Sequence, residues 1–501
     1  MWSTEAPSPR NVARKLTGRP DGTDATLIDV LLRVVVALAA LTAAVAFASA
    51  PHAAPAPPPQ YVAPVGSGAL FVVSGHGWGH GVGMGQWGAQ GYAQQGYTYD
   101  QILGAYYPGT TLGETTATSI RVLLADKKKT LTVSSAKAVT VEDGDGIDYT
   151  LAAGSTVLTA ALKLAVDGGT PQKLTPPLTF TPAQGSLLKI GRRYRGQLVI
   201  DVLNGKLRAI NVLPLEQYLY GVVPAEMPSA WLPDALEAQA VAARSYALAS
   251  RQAAAPFDVY SDGRSQAYLG VSVETPAAKA AVDQTAGQVL LYNGDVADTL
   301  FSSSTGGRTQ SAADAFGAPG RPYLVSVRDP YDTISPYHDW GPGPVTAKTL
   351  GQALGLAGHV VDATVSRNAS KRVKTVSLTS LQRGTPRTAK EAGSAIASVL
   401  SLRSTWFGIG VLSLQPPAPN PAVAPGTRVR LSGTVRGQRG VVVQERSAGK
   451  PWTRLRSILP RAATGAFHFV VKPRMTTQYR LATAQDAAAF VRIRVKAATV
   501  K

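Results

Sequence analysis

Alternating apolar and polar positions dominate the middle of this chain. The runs IRVLL (Ile120 to Leu124), QLVIDV (Gln197 to Val202) and AINVL (Ala209 to Leu213) alternate with turn-rich stretches and predict strands. Residues 112–195 read as a β-rich insertion or subdomain. The clearest helix begins at Pro233, a residue suited to a first helical turn. Behind it Leu236, Ala240, Ala243 and Ala247 recur at three- and four-residue spacing, predicting a narrow alanine-lined packing face. After Pro425 the pattern becomes short alternating strands: RVRLSGTV, VVVQERS, AFHFVVK, TQYRLAT and FVRIRVK. Trp452, Phe467, Phe469 and Tyr479 are expected to fill a core between two sheets, in an immunoglobulin-like sandwich. The fold class expected is α+β with a strand majority, followed by an all-β C-terminal unit.

Two proline-rich stretches punctuate this pattern. Residues 51–66 and 416–425 read as extended linkers, which bounds a main domain at 67–415 and a C-terminal one at 426–501. Ahead of them, Arg10, Arg14, Lys15, Arg19 and Arg33 precede an uncharged run from Val34 to Ala50. Small residues at Ala46, Ala48 and Ala50 suit a cleaved signal peptide. A retained membrane anchor is the alternative, since about 17 apolar residues is the lower limit for a span. Either reading sends the remaining chain outside the cytoplasm.

Composition narrows the chemistry. With no cysteine among 501 residues there is no disulfide, thiolate zinc site or cysteine nucleophile. The net charge is +19, and residues 426–501 hold sixteen Lys and Arg against only Glu445 and Asp486. A basic exported unit attracts anionic wall polymers or lipid headgroups. Nucleic acid is disfavoured, because no binding motif accompanies the charge.

One carboxylate stands out. In GVVPAEMPSAWLP, Pro224 and Pro228 fix their own φ and push the preceding residues from helical geometry, so Glu226 is expected in a stiff turn ahead of the helix. Val222, Val223, Met227 and Trp231 surround it in sequence. Apolar surroundings disfavour the charged form, and a carboxyl that stays protonated near neutral pH can act as a general acid. A loop glutamate capping the following helix explains the same residues.

The run LPLEQYLYGVVPAEMPSAWLPDALEAQAVAARSYAL (Leu213 to Leu248) closely resembles the signature of the stage II sporulation protein D / LytB (SpoIID/LytB) family. So do GHGWGHGVGMGQWGAQGYAQQGYTYDQILGAYYPGT (Gly75 to Thr110), FSSSTGGRT (Phe301 to Thr309) and LRSTWF (Leu402 to Phe407). The resemblance implies a strand-rich SpoIID-like domain and a lytic transglycosylase of peptidoglycan glycan strands, with Glu226 as its acid and base. Other relatives enhance wall amidases, which gives a second reading: a non-catalytic wall-binding protein that recruits or stimulates an amidase. The family name implies sporulation; these residues do not. One departure concerns order, since the glycine-rich HGVGMGQWGA segment follows the glutamate in the familiar arrangement and precedes it here. Such a swap suits one fold if the ends of the domain lie close together.

Carried over residue by residue, Gln239 and Arg244 are expected at the cleft, and Ser304 and Arg308 as substrate contacts. Gln239 and Tyr246 share a helix face, as do Glu237 and Arg244, so an ion pair from Arg244 to Glu237 or another acid is the alternative. Where Glu237 stands, active relatives often have lysine. His80 and Gln86 are expected to support the site by hydrogen bonds. His76 and His80 have helical metal spacing, but the glycines around them oppose a helix. Arg264 and Ser265 stand where zinc-binding relatives have histidine and cysteine. No cofactor and no metal are expected.

Overall fold

The computed structural model describes residues 69–251, 255–317, 319–382, 385–417, 419–459 and 464–496. The N-terminal charged and apolar segment and most of the first proline-rich stretch lie outside the described residues. Strands hold 41% and helices 19% of the described residues, so the class is α+β with sheet predominant. Among the described residues no helix is long and apolar enough to cross a membrane.

The helix Pro233–Ala249 forms the centre of the main core. Leu232 caps it in extended geometry, and Pro233 supplies the first-turn residue whose missing N–H costs nothing there. Its alanines are buried on nearly every side rather than on the single narrow face expected from the spacing. Alanine is the best helix former and lets neighbours approach the backbone closely. Packed most closely against it are the helices Gln86–Gln94, Tyr99–Tyr106, Leu215–Glu226 and Pro276–Gln284 and the strand Gln288–Tyr292.

The predicted central strands are present as Ser119–Lys128, Gln197–Leu203 and Lys206–Pro214. They belong to a seven-stranded sheet, which faces a four-stranded sheet across an aliphatic core containing Val141, Phe180, Leu198 and Ile200. The β-rich region therefore includes residues beyond 195, because Gln197–Leu203 pairs with both Leu178–Pro182 and Lys206–Pro214.

A third sheet joins the two ends of the main region. Leu70–His76 lies between Asp339–Thr346 and Phe407–Gln415, with Leu70 opposite Leu412. This adjacency is the condition under which the swapped segment order fits one fold.

The same sheet continues into the C-terminal strands, a correction to the expected separation by 416–425. Val429–Arg436 pairs directly with Phe407–Gln415, and Ala466–Val471 follows it. Val423, inside the proline-rich stretch, bridges to Val495. Leu70, Val72 and Leu412 share a core with Leu431, Phe469 and Tyr479. Residues 416–425 thus cross a continuous structure instead of tethering a free module. The remaining C-terminal strands form a four-stranded sheet that includes Thr453–Ser457, a strand the sequence pattern missed because all five residues are exposed. Trp452 is not a core residue as expected; it is half-buried, with the guanidinium groups of Arg446 and Arg480 against its ring.

Candidate active site around Glu226

Glu226 is the last residue of the helix Leu215–Glu226, not part of an irregular turn. Pro224 sits inside that helix, where its ring ordinarily opposes helical geometry. Tyr218, Leu219, Val222 and Val223 are fully buried beside it. Their packing outweighs the local preference, and the helix continues one further residue past Pro224 and Ala225. It ends at Met227, extended at φ −123° and ψ 147°, as the residue before Pro228 should be.

The half-buried Glu226 carboxyl accepts from the Ala267 N–H at 2.6 Å and from the Gln86 side chain. It does not cap the following helix. Burial pushes its pKa up from 4.5 to about 7, and the two hydrogen bonds oppose that rise. The C-terminal end of a helix carries partial negative charge, which further disfavours a carboxylate there.

Both supports are themselves held. Gln86 opens the helix Gln86–Gln94, and its Nε2 donates to Gln239 Oε1 at 3.3 Å. Gln239 is fully buried and its own Nε2 has no partner. It therefore positions Gln86 and does not contact substrate, a correction to its expected role. The Ala267 amide is set by Gln266, which accepts from Tyr218 Oη at 2.9 Å and donates to the Ala243 carbonyl at 3.2 Å. The sequence held no signal for Ala267, since a backbone donor has no residue signature. Trp87, next to Gln86, and Trp231, three residues past Pro228, make an edge-to-face pair at 4.8 Å.

Other expected site residues lie elsewhere. Arg244 is fully buried, paired with Glu216 at 2.5 Å and donating to the Gln288 carbonyl at 3.0 Å. It locks two helices to a strand, and its expected place at the cleft is corrected. Its partner Glu216 is correspondingly more than a surface charge. Ser304 is also fully buried and donates to Asp332 Oδ2 at 2.9 Å, so it cannot touch a substrate as expected. Arg308 is half-exposed, with Ser326 Oγ at 3.5 Å as its side-chain contact.

The glycine-rich segment docks on Phe301–Thr309, with Trp78 bridged to Ser304 and Met84 opposite Phe301. Gly83 at φ +69° passes so close that a Cβ would stand 1.9 Å from the Leu300 carbonyl oxygen. Only glycine meets both demands. His80 is held here and not beneath Glu226: its Nδ1 accepts from the Val82 N–H at 3.0 Å. Burial, then the nearby Arg372 charge, lowers its pKa to about 4, leaving it neutral near pH 7.

Beneath this loop is an acidic pair the sequence reading missed. Asp332 accepts from Ser304 Oγ, the Thr305 and Gly306 amides and His338 Nδ1, all at 2.9–3.0 Å. Burial and the Asp332 charge push Asp329 up to about 7. Both are fully buried, which makes them loop anchors. Among the described residues no group of three or more His, Cys, Asp or Glu is arranged to hold a metal. Arg264 pairs with Asp262 at 2.7 Å, and Ser265 Oγ accepts from the Tyr260 N–H.

Comparison with known proteins adds to this geometry. The family model described as SpoIID, stage II sporulation protein, matches residues 203–292, a stretch that contains Glu226, Gln239 and Ala267. An uncharacterized protein of Brachyspira hyodysenteriae is 37% identical over 153 residues, covering 30% of this chain and 41% of that protein. Stage II sporulation protein D of Bacillus subtilis is 34% identical over 166 residues, 30% of this chain and 48% of the relative. The amidase enhancer of Bacillus subtilis is 39% identical over 114 residues, 23% of this chain and 15% of the relative. The chain spans less than half the length of each of these relatives. No solved structure matches it.

Proposed function

The chain belongs to the SpoIID/LytB family, and from that premise we propose that it is an exported lytic transglycosylase of peptidoglycan glycan strands. The observation that carries this reading is the single half-buried carboxyl of Glu226, poised at about pH 7 between the Ala267 amide and Gln86. Protonated Glu226 donates to the bridging glycosidic oxygen as the bond from C1 of the N-acetylmuramic acid breaks. The resulting carboxylate removes the proton of that sugar's 6-hydroxyl, whose oxygen bonds to C1 and leaves a 1,6-anhydro end. No water is consumed, and an intramolecular hydroxyl needs no second carboxylate to position it. Two other acids of this segment are otherwise engaged, which supports a one-carboxyl mechanism: Glu216 by Arg244, and Asp234 by the Tyr99 N–H at 3.1 Å. Trp87 and Trp231 offer apolar faces for sugar rings. Export by the segment around 34–50 belongs to the same proposal, as does reading the six strands within 429–493 as an immunoglobulin-like sandwich.

A second reading rests on the similarity to an amidase enhancer, in which the chain binds wall glycan and recruits or stimulates an amidase. Purified glycan strands, with and without stem peptides, separate the two. Fragments with anhydro ends, lost in Glu226→Gln, support the transglycosylase. Binding without fragments, together with faster cleavage by an added wall amidase, would overturn it in favour of the enhancer.

A further inference from the structure

The C-terminal strands hold a cleft unrelated to Glu226. It has a volume of about 1110 Å³ and opens between Thr453–Ser457, the outer strand of one sheet, and Ala466–Val471, the outer strand of the other. Four cationic residues line it, Lys450, Arg456, Lys472 and Arg474, against the single acid Glu445; Arg446 also borders it, but its guanidinium lies over Trp452 on the other face of the sheet. Leu455 and Met475, both substantially exposed, add apolar walls beside Phe469.

Some cations elsewhere in the fold are ion-paired. Arg121, Arg195, Arg208, Arg244, Arg264 and Arg321 each have a carboxylate partner. Among the described residues, none of the four cleft cations is in an ion pair. Uncompensated like charge around one concavity raises the local anion concentration and opposes folding through self-repulsion. A bound anion relieves that repulsion.

We propose that this cleft binds a linear phosphodiester polymer. Its cations stand on both walls, Arg456 on the Thr453–Ser457 side and Lys472 and Arg474 just past Ala466–Val471. Phosphodiester oxygens match guanidinium forks geometrically, and successive phosphates of one chain can meet the cations of both walls. The carbon backbone between phosphates meets Leu455 and Met475. Since the cleft is lined by residues distinct from those around Glu226, the inference stands apart from the proposed glycan cleavage.

The test uses the full chain and fluorescently labelled poly(glycerol phosphate), with binding read by anisotropy at two salt concentrations. Arg456 and Arg474 are exposed, so the double variant R456Q/R474Q should fold normally. It should lose about tenfold in affinity, the scale of two screened charge contacts. The control R428Q/R430Q removes two exposed charges outside the cleft and should lose far less. Equal losses in both variants would mean a diffuse basic surface and overturn the proposal. So would equal binding to a polyuronate of matched charge, or binding to phosphatidylglycerol vesicles in preference to the polymer.

Discussion

Glu226→Gln should stabilise the protein in alkali and not in acid. The carboxyl titrates at about 7 in the folded chain against 4.5 for an ordinary glutamate. Between those values the native state binds more protons than the unfolded state, so stability falls as pH rises. The loss begins near pH 4.5 and is complete above pH 7. At about 1.4 kcal/mol per pK unit, the shift corresponds to about 3 kcal/mol of burial cost that ionised Glu226 imposes. Glutamine keeps the shape and can still accept from the Ala267 amide, but never ionises. Unfolding entropy near 2.1 cal/mol/K per residue over roughly 420 residues converts 1 kcal/mol into about 1 °C of Tm. Differential scanning calorimetry of both proteins should therefore show the variant gaining about 3 °C relative to wild type between pH 4.5 and pH 8.5. Other titrating groups cancel in that double difference. A Tm gap that is the same at both pH values, or that favours wild type at pH 8.5, would refute the argument that burial dominates at Glu226.

Gln86→Leu removes a hydrogen bond that favours the carboxylate, so the alkaline limb of any glycan-cleaving activity should move to higher pH, read from the pH dependence of kcat/KM. Arg244→Met leaves Glu216 without its partner beside a buried helix; stability should fall by about 3 kcal/mol in urea unfolding, while activity per folded molecule is kept. Truncation after Pro425 uncovers Leu70, Val72, Leu412 and Leu414, so the shortened protein should aggregate or melt well below the full chain. A truncated protein with an unchanged Tm would show that the shared core contributes little.

Local residue patterns specified the elements and the chemical character of the central carboxyl. Periodicity located Ser119–Lys128, Lys206–Pro214 and the start of Pro233–Ala249, because strand and helix periods are written in nearest-neighbour spacing. The apolar residues flanking Glu226 pointed to its raised pKa, because Val222, Val223 and Met227 are buried beside it in sequence and burial is what raises it. Tertiary structure decided what touches what. Gln86 reaches Glu226 from 140 positions earlier in the chain, and the Ala267 donor is backbone and carries no side-chain signature. Arg244 and Ser304 have residue types suited to a cleft, yet burial against Glu216 and Asp332 makes them structural. Packing of Val222 and Val223 overrode the helix-breaking tendency of Pro224, and hydrogen bonding between Phe407–Gln415 and Val429–Arg436 erased a boundary that proline content suggested. Local composition sets propensities of a few kcal/mol at most, and burial of a shared core outweighs them when distant segments meet.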